Sequence, residues 1–384
     1  MSEAAAPTAE SPLDHEDQAG GVPPGSSADP ASAADQASSP AEDRSDGPLG
    51  SADPQSSDIP QTSAAQHTSA APLTNADPQS NPAPQTSTAQ LNTAAQLSSA
   101  APAIQWYPGH IAKAEKSLTD NLAKVDLVIE VRDARIPLAT SHPRLQRWIK
   151  GKQHLLVINR RDMVSAEARH AWDQWFRAAG QTPWWCDAKV GTGVKQLQTA
   201  AIRAGEQLNA RRAGRGMKPR PVRALMLGFP NVGKSALINR LVRRKVVDSA
   251  RRAGVTRSLR WVRLGQDLDL LDAPGVLPPR LDDQLAALRL ALCDDIGQAA
   301  YEGEAVALAF LRLLTVLEPV AGAGVAAGLL ERRYGIAAQD PNAWLEAAAA
   351  RHTSGDEGRM AQRLLDDFRR AQLGPIALEL PPSP

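Results

Sequence analysis

One eight-residue stretch combines two glycines, a lysine and a serine at a fixed spacing. It reads Gly228-Phe229-Pro230-Asn231-Val232-Gly233-Lys234-Ser235, fits G-x-x-x-x-G-K-[ST], and lies between a strand-like run and a helix-like run. That context predicts a phosphate-binding loop, because glycines let backbone N–H groups turn toward phosphate oxygens. We expect Lys234 to reach the β- and γ-phosphates, with the positive end of the next helix adding to the attraction. The predicted phosphate contacts are Asn231, Val232, Gly233, Lys234, Ser235 and Ala236.

Two segments further along the chain carry residues that suit a metal ion beside those phosphates. Asp272-Ala273-Pro274-Gly275 follows a strand-like run and fits D-x-x-G, in which the aspartate holds Mg²⁺ through water and the glycine amide senses the γ-phosphate. Between the two motifs, Thr256 is a candidate hydroxyl ligand in a loop that would order around the γ-phosphate. The predicted Mg²⁺ ligands are Ser235, Thr256 and Asp272, with Gly275 counted among the nucleotide contacts.

Two segments earlier in the chain have residues that could choose the base. Asn159-Arg160-Arg161-Asp162 closes an apolar run and resembles the N-K-x-D motif of GTPases. A carboxylate at Asp162 can accept the N1–H and 2-amino hydrogens of guanine, a donor pair that adenine lacks. Arg160 replaces the usual lysine, and its aliphatic stem could also cover the base, although the two side chains are not equivalent. Asp187-Ala188-Lys189 resembles S-A-K, in which a backbone amide meets the guanine oxygen. The predicted base contacts are Asn159, Arg160, Asp162, Asp187, Ala188 and Lys189.

The order of these motifs differs from that of most GTPases, in which the phosphate-binding loop comes first and the base-reading motifs last. Apolar runs at 127–131, 155–158, 224–227 and 268–271 predict strands, and helical patterns alternate with them. An α/β fold with a mostly parallel sheet and helices on both faces is therefore expected. Since each motif follows a strand, all would meet at the carboxyl edge of the sheet. The sequence thus predicts a circularly permuted P-loop GTPase domain.

Composition separates the first hundred residues from the rest of the 384-residue chain. Residues 1–100 hold one basic and thirteen acidic residues and contain no Phe, Trp or Tyr, so they predict a disordered acidic tail. The remainder carries a charge of +13, while the whole chain is at +1. Two cysteines, Cys186 and Cys293, are too few for a disulfide framework. With no secretory signal pattern and no uninterrupted apolar span, a cytoplasmic protein without a membrane partner is expected.

Several segments together resemble the bacterial YlqF family of circularly permuted ribosome biogenesis GTPases. They are Ile104-Gln105-Trp106-Tyr107-Pro108-Gly109-His110, Val131-Arg132-Asp133-Ala134-Arg135-Ile136-Pro137, Glu331-Arg332-Arg333-Tyr334-Gly335, Leu364-Leu365-Asp366-Asp367-Phe368 and the permuted motifs. The resemblance covers about 104–382 and departs from the family pattern at Arg160, Asp187 and Ala273. It implies a GTPase acting in assembly of the large (50S) ribosomal subunit. The domains would be a tail at 1–103, a GTPase domain at 104–280, and a C-terminal helical rRNA-binding domain at 281–384.

Hydrolysis needs a group that positions the attacking water, and many small GTPases place a glutamine just after D-x-x-G. Here that place holds Val276 and Leu277, which cannot hydrogen-bond a water molecule. The resemblance points instead to His110, so the predicted catalytic residues are His110 and Lys234. Asn231 resembles the asparagine of K⁺-activated GTPases, in which K⁺ supplies positive charge at the phosphates. Mg²⁺ and K⁺ are therefore the expected cofactors.

Charge favours RNA as a macromolecular partner, together with GTP and GDP as ligands, and no DNA partner is expected. Basic residues crowd the stretches around Thr256 and before Gly228, and phosphate binding by such clusters is electrostatic. They include Arg211, Arg212, Arg215, Lys218, Arg220, Arg223, Arg243, Arg244, Lys245, Arg251, Arg252, Arg257, Arg260 and Arg263. In the last domain, Arg359, Arg363, Arg369 and Arg370 lie near an apolar helical stripe of Met360, Leu364, Leu365 and Phe368. Two alternatives stay open: a P-loop ATPase or kinase, and a nucleotide-gated RNA-binding module with negligible hydrolysis.

Overall fold

The computed structural model describes Ile104 and residues 118–247, 260–278, 281–320 and 326–382. All of them belong to the unit Ala76–Pro384. The predicted acidic tail and two predicted site residues, His110 and Thr256, lie outside the described residues.

Six strands form one sheet in the spatial order β3-β2-β1-β4-β6-β5. Every neighbouring pair is parallel except β5 and β6, which run antiparallel. The predicted α/β class with a mostly parallel sheet is therefore confirmed. Most strands are apolar runs because both faces of the sheet are covered by helices. The strands are β1 (Leu127–Asp133), β2 (Gln153–Asn159), β3 (Pro183–Trp185), β4 (Val222–Leu227), β5 (Arg260–Leu264) and β6 (Leu268–Asp272).

Helices connect the strands and then follow the sheet as a C-terminal group. Three of them begin at an aspartate, Asp283, Asp340 or Asp356, whose side chain accepts backbone N–H bonds of the first turn. The helices are α1 (Leu145–Ile149), α2 (Ala166–Ala178), α3 (Val194–Ala213), α4 (Lys234–Val242), α5 (Gln284–Leu292), α6 (Gly303–Val320), α7 (Ala326–Tyr334), α8 (Pro341–His352) and α9 (Glu357–Arg369).

One face of the sheet is covered by a helix whose described part spans residues 118–122. Ile111, Ala114, Leu118, Leu122 and Val125 recur at steps of three and four residues, which predicts one face of a helix. Leu118, Leu122 and Val125 are buried against β1, β4 and β6 residues, whereas Ile111 and Ala114 lie outside the described residues.

A single apolar cluster continues from the sheet into the C-terminal helices. The predicted stripe on α9 is buried, and the ring of Phe368 lies 4.8 Å from that of Phe310 on α6. Arg369, one of the four arginines near that stripe, is buried and donates to the carbonyls of Leu292 and Ala291 at the end of α5. Within the described residues, no helix is long and apolar enough to cross a membrane.

The segment after α9 returns to the loop that follows β1. The backbone N–H groups of Leu378 and Glu379 donate to the carbonyl of Arg135 at 2.9 and 3.1 Å. The carboxylate of Glu379 in turn accepts from the amides of Leu138 and Ala139. These bonds hold the C-terminal segment, which is far away in sequence, against the loop after β1.

Candidate nucleotide-binding site

The predicted phosphate-binding loop connects β4 to α4, at the carboxyl edge of the sheet. Its backbone requires glycine at two places. Gly228 has φ +157° and Gly233 has φ +98°, and a side-chain carbon would collide with the carbonyl of Val131 at the first position and with the side chain of Asn159 at the second. The loop is therefore packed tightly against the ends of β1 and β2.

Lys234 is buried at the start of α4 and lies across the loop. Its ammonium donates to the carbonyls of Phe229 at 2.7 Å and Gly228 at 3.1 Å. Burial lowers its pKa to about 8, although the carboxylates of Asp272 and Asp295 act in the opposite direction. An ammonium has three donors, so two bonds to the loop leave one for a phosphate oxygen.

Ser235 and Asp272 lie side by side, and their oxygen atoms are of the kind that a hard cation prefers. The Ser235 hydroxyl donates to Asp272 Oδ2 at 3.1 Å, and Asp272 is buried at the end of β6. Among the described residues, no hydrogen bond reaches Asp272 Oδ1 although that atom is buried. Burial raises the pKa of Asp272, while Lys234 and Ser235 oppose that shift. Oxygen donors with an unused buried lone pair fit Mg²⁺.

Gly275 brings the D-x-x-G loop into contact with the phosphate-binding loop. A side-chain carbon at Gly275 would lie 2.5 Å from Pro230 Cα, so only glycine allows this approach. The next amide, Val276 N, donates to the carbonyl of Gly228 at 3.2 Å. Val276 and Leu277 are both buried, as their apolar side chains require. Neither of them can replace the glutamine that orders water in other GTPases.

Asn159 joins the base-reading and phosphate-binding segments. It is buried at the end of β2, where its Nδ2 donates to the carbonyl of Val232 at 2.8 Å. Its Oδ1 accepts from the amide of Ala188 at 3.1 Å. The three motifs, although permuted in the chain, meet around this one side chain.

Arg160 reaches across the site instead of pointing to solvent. It has the left-handed φ of +61°, and its Nη2 donates to the carbonyl of Asn231 at 2.5 Å. Its Nη1 lies 3.3 Å from Asp133 Oδ2 at the end of β1. Burial alone would raise the pKa of Asp133, but Arg135 and Arg160 bring it below its ordinary value. The guanidinium therefore bridges a buried carboxylate and the phosphate-binding loop.

Known proteins are similar to this chain over segments that include the site. Residues 223–312 match the family described as 50S ribosome-binding GTPase. Ribosome biogenesis GTPase A of Bacillus pumilus is 31% identical over 288 residues, which cover 73% of this chain and 99% of that protein. The chain belongs to the ribosome biogenesis GTPase A family. It is a GTP-hydrolysing enzyme that takes part in ribosome biogenesis.

Two further proteins are similar to this GTPase, one over a shorter stretch and one at lower sequence identity. Ribosome biogenesis GTPase A of Bacillus cereus is 37% identical over 211 residues, covering 55% of this chain and 71% of that protein. GNP-bound YlqF from T. maritima is 22% identical with a TM-score of 0.49, covering 70% of this chain and 98% of the solved one. The Bacillus relatives at 31–37% identity confirm the resemblance to this family of ribosome biogenesis GTPases noted in the sequence, and GTPases of this kind generally use Mg²⁺.

The family's usual serine is replaced by Asp187, and the structure shows what the aspartate does in this GTPase. Its Oδ1 accepts from the amides of Lys189 at 2.7 Å and Val190 at 3.2 Å, which closes the loop. Asp162 lies nearby with its carboxylate more exposed. Burial and then the charge of Asp187 raise the pKa of Asp162. Asp187 thus orders the loop while adding a negative charge beside the predicted guanine-reading carboxylate.

Asp294, Asp133 and Arg135 lie around the GTPase site, and the motifs assigned them no role. Asn231 Nδ2 donates to the carbonyl of Asp294, just after α5, at 2.6 Å. Asp133 and Arg135 form a fully buried ion pair of 2.7 Å, and Arg135 also donates to the carbonyl of Cys293. The position of Asp133 at the end of a buried strand was the available signal, because polar residues there face the ligand edge.

The described candidate residues of this GTPase fall into one contiguous group at the sheet edge. Lys234, Ser235 and Asp272 form its candidate phosphate and metal end, and Asn159 connects that end to the loops predicted to read the base. Val232, Gly233 and Gly275 belong to the same loops, and Ala236 lies in the first turn of α4. Lys189 continues the loop that Asp187 closes.

Proposed function

We propose that this protein is an assembly factor for the large (50S) ribosomal subunit that binds rRNA in a GTP-gated way. The match of residues 223–312 to the 50S ribosome-binding GTPase family carries the proposal. In this account GTP favours binding to the assembling subunit, the subunit stimulates hydrolysis, and GDP formation releases the protein. The work would take place in the cytoplasm.

Contacts between the nucleotide site and the C-terminal helices support the gating. The chain passes from Asp272 and Gly275 directly into α5. Beyond the end of α5, the carbonyl of Asp294 accepts from Asn231 of the phosphate-binding loop. Asp295 is fully buried beside this contact, and burial together with the charge of Asp133 raises its pKa, which favours the neutral carboxyl. A movement of the phosphate-binding loop or of the D-x-x-G loop would therefore be transmitted to α5, one loop at each end of the helix. This helix leads into the other helices of 281–384.

Arginines on α9 support rRNA as the partner of those helices. Arg359, Arg363 and Arg370 line an open surface cavity of about 450 Å³, together with Gln362, Asp366 and Asp367. Guanidinium groups suit phosphate because they donate two parallel bonds. Arg369 is excluded from this role because its side chain is buried in bonds to α5 and to Tyr301.

For the hydrolysis itself, we infer a division of roles among the site residues. Lys234 and the loop amides from Asn231 to Ala236 hold the phosphates. Ser235, Asp272 and Thr256 would hold Mg²⁺, which would neutralise the charge that develops on the phosphates. Asp162, Arg160 and the Asp187–Lys189 loop hold guanine. His110 orders the attacking water once the subunit is bound. The side-chain nitrogen of Asn231 donates to Asp294, and its side-chain oxygen would be the K⁺ ligand, where K⁺ would supply positive charge at the phosphates.

The test is GTP turnover in KCl with no subunits, with large subunits and with small subunits. We expect large subunits to stimulate the wild-type protein strongly. Lys234→Ala and His110→Ala should abolish that stimulation. His170→Ala provides the matched control, because it removes an exposed histidine on α2 away from the site.

Equal turnover in all three mixtures would contradict the proposal. If large subunits stimulate His110→Ala as strongly as wild type, the assembly role stands and His110 is not the residue that orders the water. Replacing KCl by NaCl at the same ionic strength should lower the turnover, and an unchanged rate would remove K⁺ from the account.

A further inference from the structure

An aromatic side chain is exposed on the edge strand of the sheet. Trp261 on β5 has 43% of its surface exposed, and among the described residues it is the one aromatic side chain exposed by more than a third. Single exposed aliphatic residues are common on protein surfaces, but an exposed indole is a large apolar surface that folding alone leaves uncovered.

Arginines surround this tryptophan because of the register of three strands. Arg223 on β4 and Arg263 on β5 both lie opposite Asp269 on β6, and Trp261 lies two residues before Arg263. Directly paired residues project from the same face, and so do residues two apart, so all four side chains share one face. The guanidinium carbon of Arg223 lies 5.9 Å from the indole centroid.

The charge of this surface favours an anion. Arg263 has 75% of its side chain exposed and is only loosely paired with Asp269 at 3.3 Å. Arg223 is exposed as well, whereas Asp269 is mostly covered. We call Arg223, Trp261 and Arg263 the edge platform. Charged side chains alone would suffice to keep an edge strand from pairing with other proteins, so they do not explain the tryptophan.

We propose that the edge platform binds a single-stranded segment of RNA, with an unpaired base stacked on Trp261 and the adjoining phosphates on the arginines. Bases stack on aromatic faces, and arginines beside the ring bind the backbone. This inference rests on the proposed function and names the chemistry of one contact within it.

The experiment measures RNA binding by the full chain loaded with a non-hydrolysable GTP analogue. The probes are a fluorescein-labelled oligouridylate and a labelled RNA duplex, read by anisotropy, and binding to isolated large subunits is measured in parallel. Trp261→Leu keeps the apolar bulk but removes the aromatic face, and it should weaken oligouridylate binding at least about fivefold. Trp261→Phe should stay within about twofold of wild type, since the ring still stacks.

Arg263→Ala separates charge from stacking. It should weaken the oligouridylate and the duplex alike, and lower the slope of log affinity against log salt by about one. Its matched control is Arg177→Ala, an exposed arginine paired with one aspartate, Asp173, on α2 beside the opposite edge of the sheet. That control should leave both affinities unchanged.

Three outcomes would overturn the inference or separate it from the proposed function. If wild type binds subunits but Trp261→Leu binds oligouridylate as tightly as wild type, the platform is not a stacking site. If Trp261→Leu weakens subunit binding alone, the edge strand contacts a ribosomal protein instead. If wild type shows no nucleotide-dependent binding to large subunits, the proposed function is wrong, regardless of how the Trp261 substitutions affect RNA binding.

Discussion

Asn159 Nδ2 donates to the backbone carbonyl of Val232 at 2.8 Å, and this bond connects the base-reading end of the site to its phosphate-binding end. In sequence the two residues are 73 positions apart, with the base-reading residue first. Strand order explains why they meet: β1 lies between β2 and β4, and all three strands end at the same edge. Permutation has changed the connections and left the spatial arrangement of the motifs intact.

Replacing Asn159 by alanine should weaken both ends of the site together. The buried carbonyl of Val232 and the amide of Ala188 would lose their partner, which costs about 1–3 kcal/mol for each unsatisfied group. We expect a lower melting temperature and at least about tenfold weaker GDP binding, measured by calorimetry. Asn209→Ala is the matched control, because Asn209 makes the same two-way bonds to the backbone of Arg220 away from the site. A variant at Asn159 that melts early but binds GDP normally would refute this role.

Arg160→Lys tests whether the arginine does more than cover the base. A lysine has a stem of similar kind, but its single ammonium cannot reach Asn231 and Asp133 with two separate nitrogens as the guanidinium does. The variant should lose about 1–3 kcal/mol of unfolding free energy and bind GDP several-fold more weakly. Arg161→Lys, one residue along the chain, is the control. If the lysine variant binds GDP as well as wild type, the bridge contributes nothing to the bound state.

Guanine binding should depend on pH through Asp162. Its pKa is raised by burial and by Asp187, and only the ionised carboxylate can accept both guanine donors. As pH falls, GDP affinity should therefore decline at a higher pH than the ordinary aspartate pKa of about 4 would give. Asp187→Asn keeps an oxygen for the amides of Lys189 and Val190 while removing the charge, so the decline should move to lower pH. Affinity titrations of both proteins over the same pH range check this, and coincident curves would contradict it.

Nucleotide binding above neutral pH should take up a proton at Lys234. Its pKa is lowered by burial to about 8, so the free site becomes neutral above that pH, whereas bound phosphates favour the ammonium. Affinity should thus fall as pH rises through about 8. The stability of the fold changes in the opposite direction. The free energy of unfolding rises with pH between about 8 and the unfolded pKa of about 10.4, because the folded state loses the Lys234 proton first.

Calorimetry of GDP binding near pH 8.5, about half a unit above the lowered pKa, in two buffers of different ionisation enthalpy reports that proton directly. Near pH 6.5, the same comparison should show no uptake from Lys234, because the ammonium is already formed. Equal apparent enthalpies in both buffers at the higher pH would show that Lys234 stays charged in the free site.

Much of the fold could be predicted because the central strands are uniform apolar runs. β1, β2, β4 and β6 were anticipated within a few residues, and so was the burial of the α9 stripe. β5 was missed. Only Val262 of its five residues is buried, and two of the others are arginines, so this edge strand leaves no apolar run to detect. The same exposure is what makes β5 a candidate binding surface.

The site motifs could be recognised, but their cross-connections could not. Sequence reasoning placed Asn159 and Arg160 beside the base, since a motif reports residue types at a spacing. That Arg160 pairs with Asp133 depends on which strand lies beside β2 in the sheet, and adjacent strands need not be adjacent in sequence. The buried position of Arg369 has the same origin, because the arginine contacts the end of a helix that lies far from it in the chain.

The central claim is that the segment before the phosphate-binding loop reads guanine, and Asp162→Asn tests it most directly. A carboxamide can donate to the 2-oxo group of xanthine and still accept from N1–H, but it cannot accept both guanine donors. The measurement is the affinity of wild type and variant for GDP and for xanthosine diphosphate. The account predicts that the variant loses at least about a hundredfold in GDP affinity and gains xanthosine diphosphate binding. A variant that keeps wild-type GDP affinity and does not bind xanthosine diphosphate would contradict it.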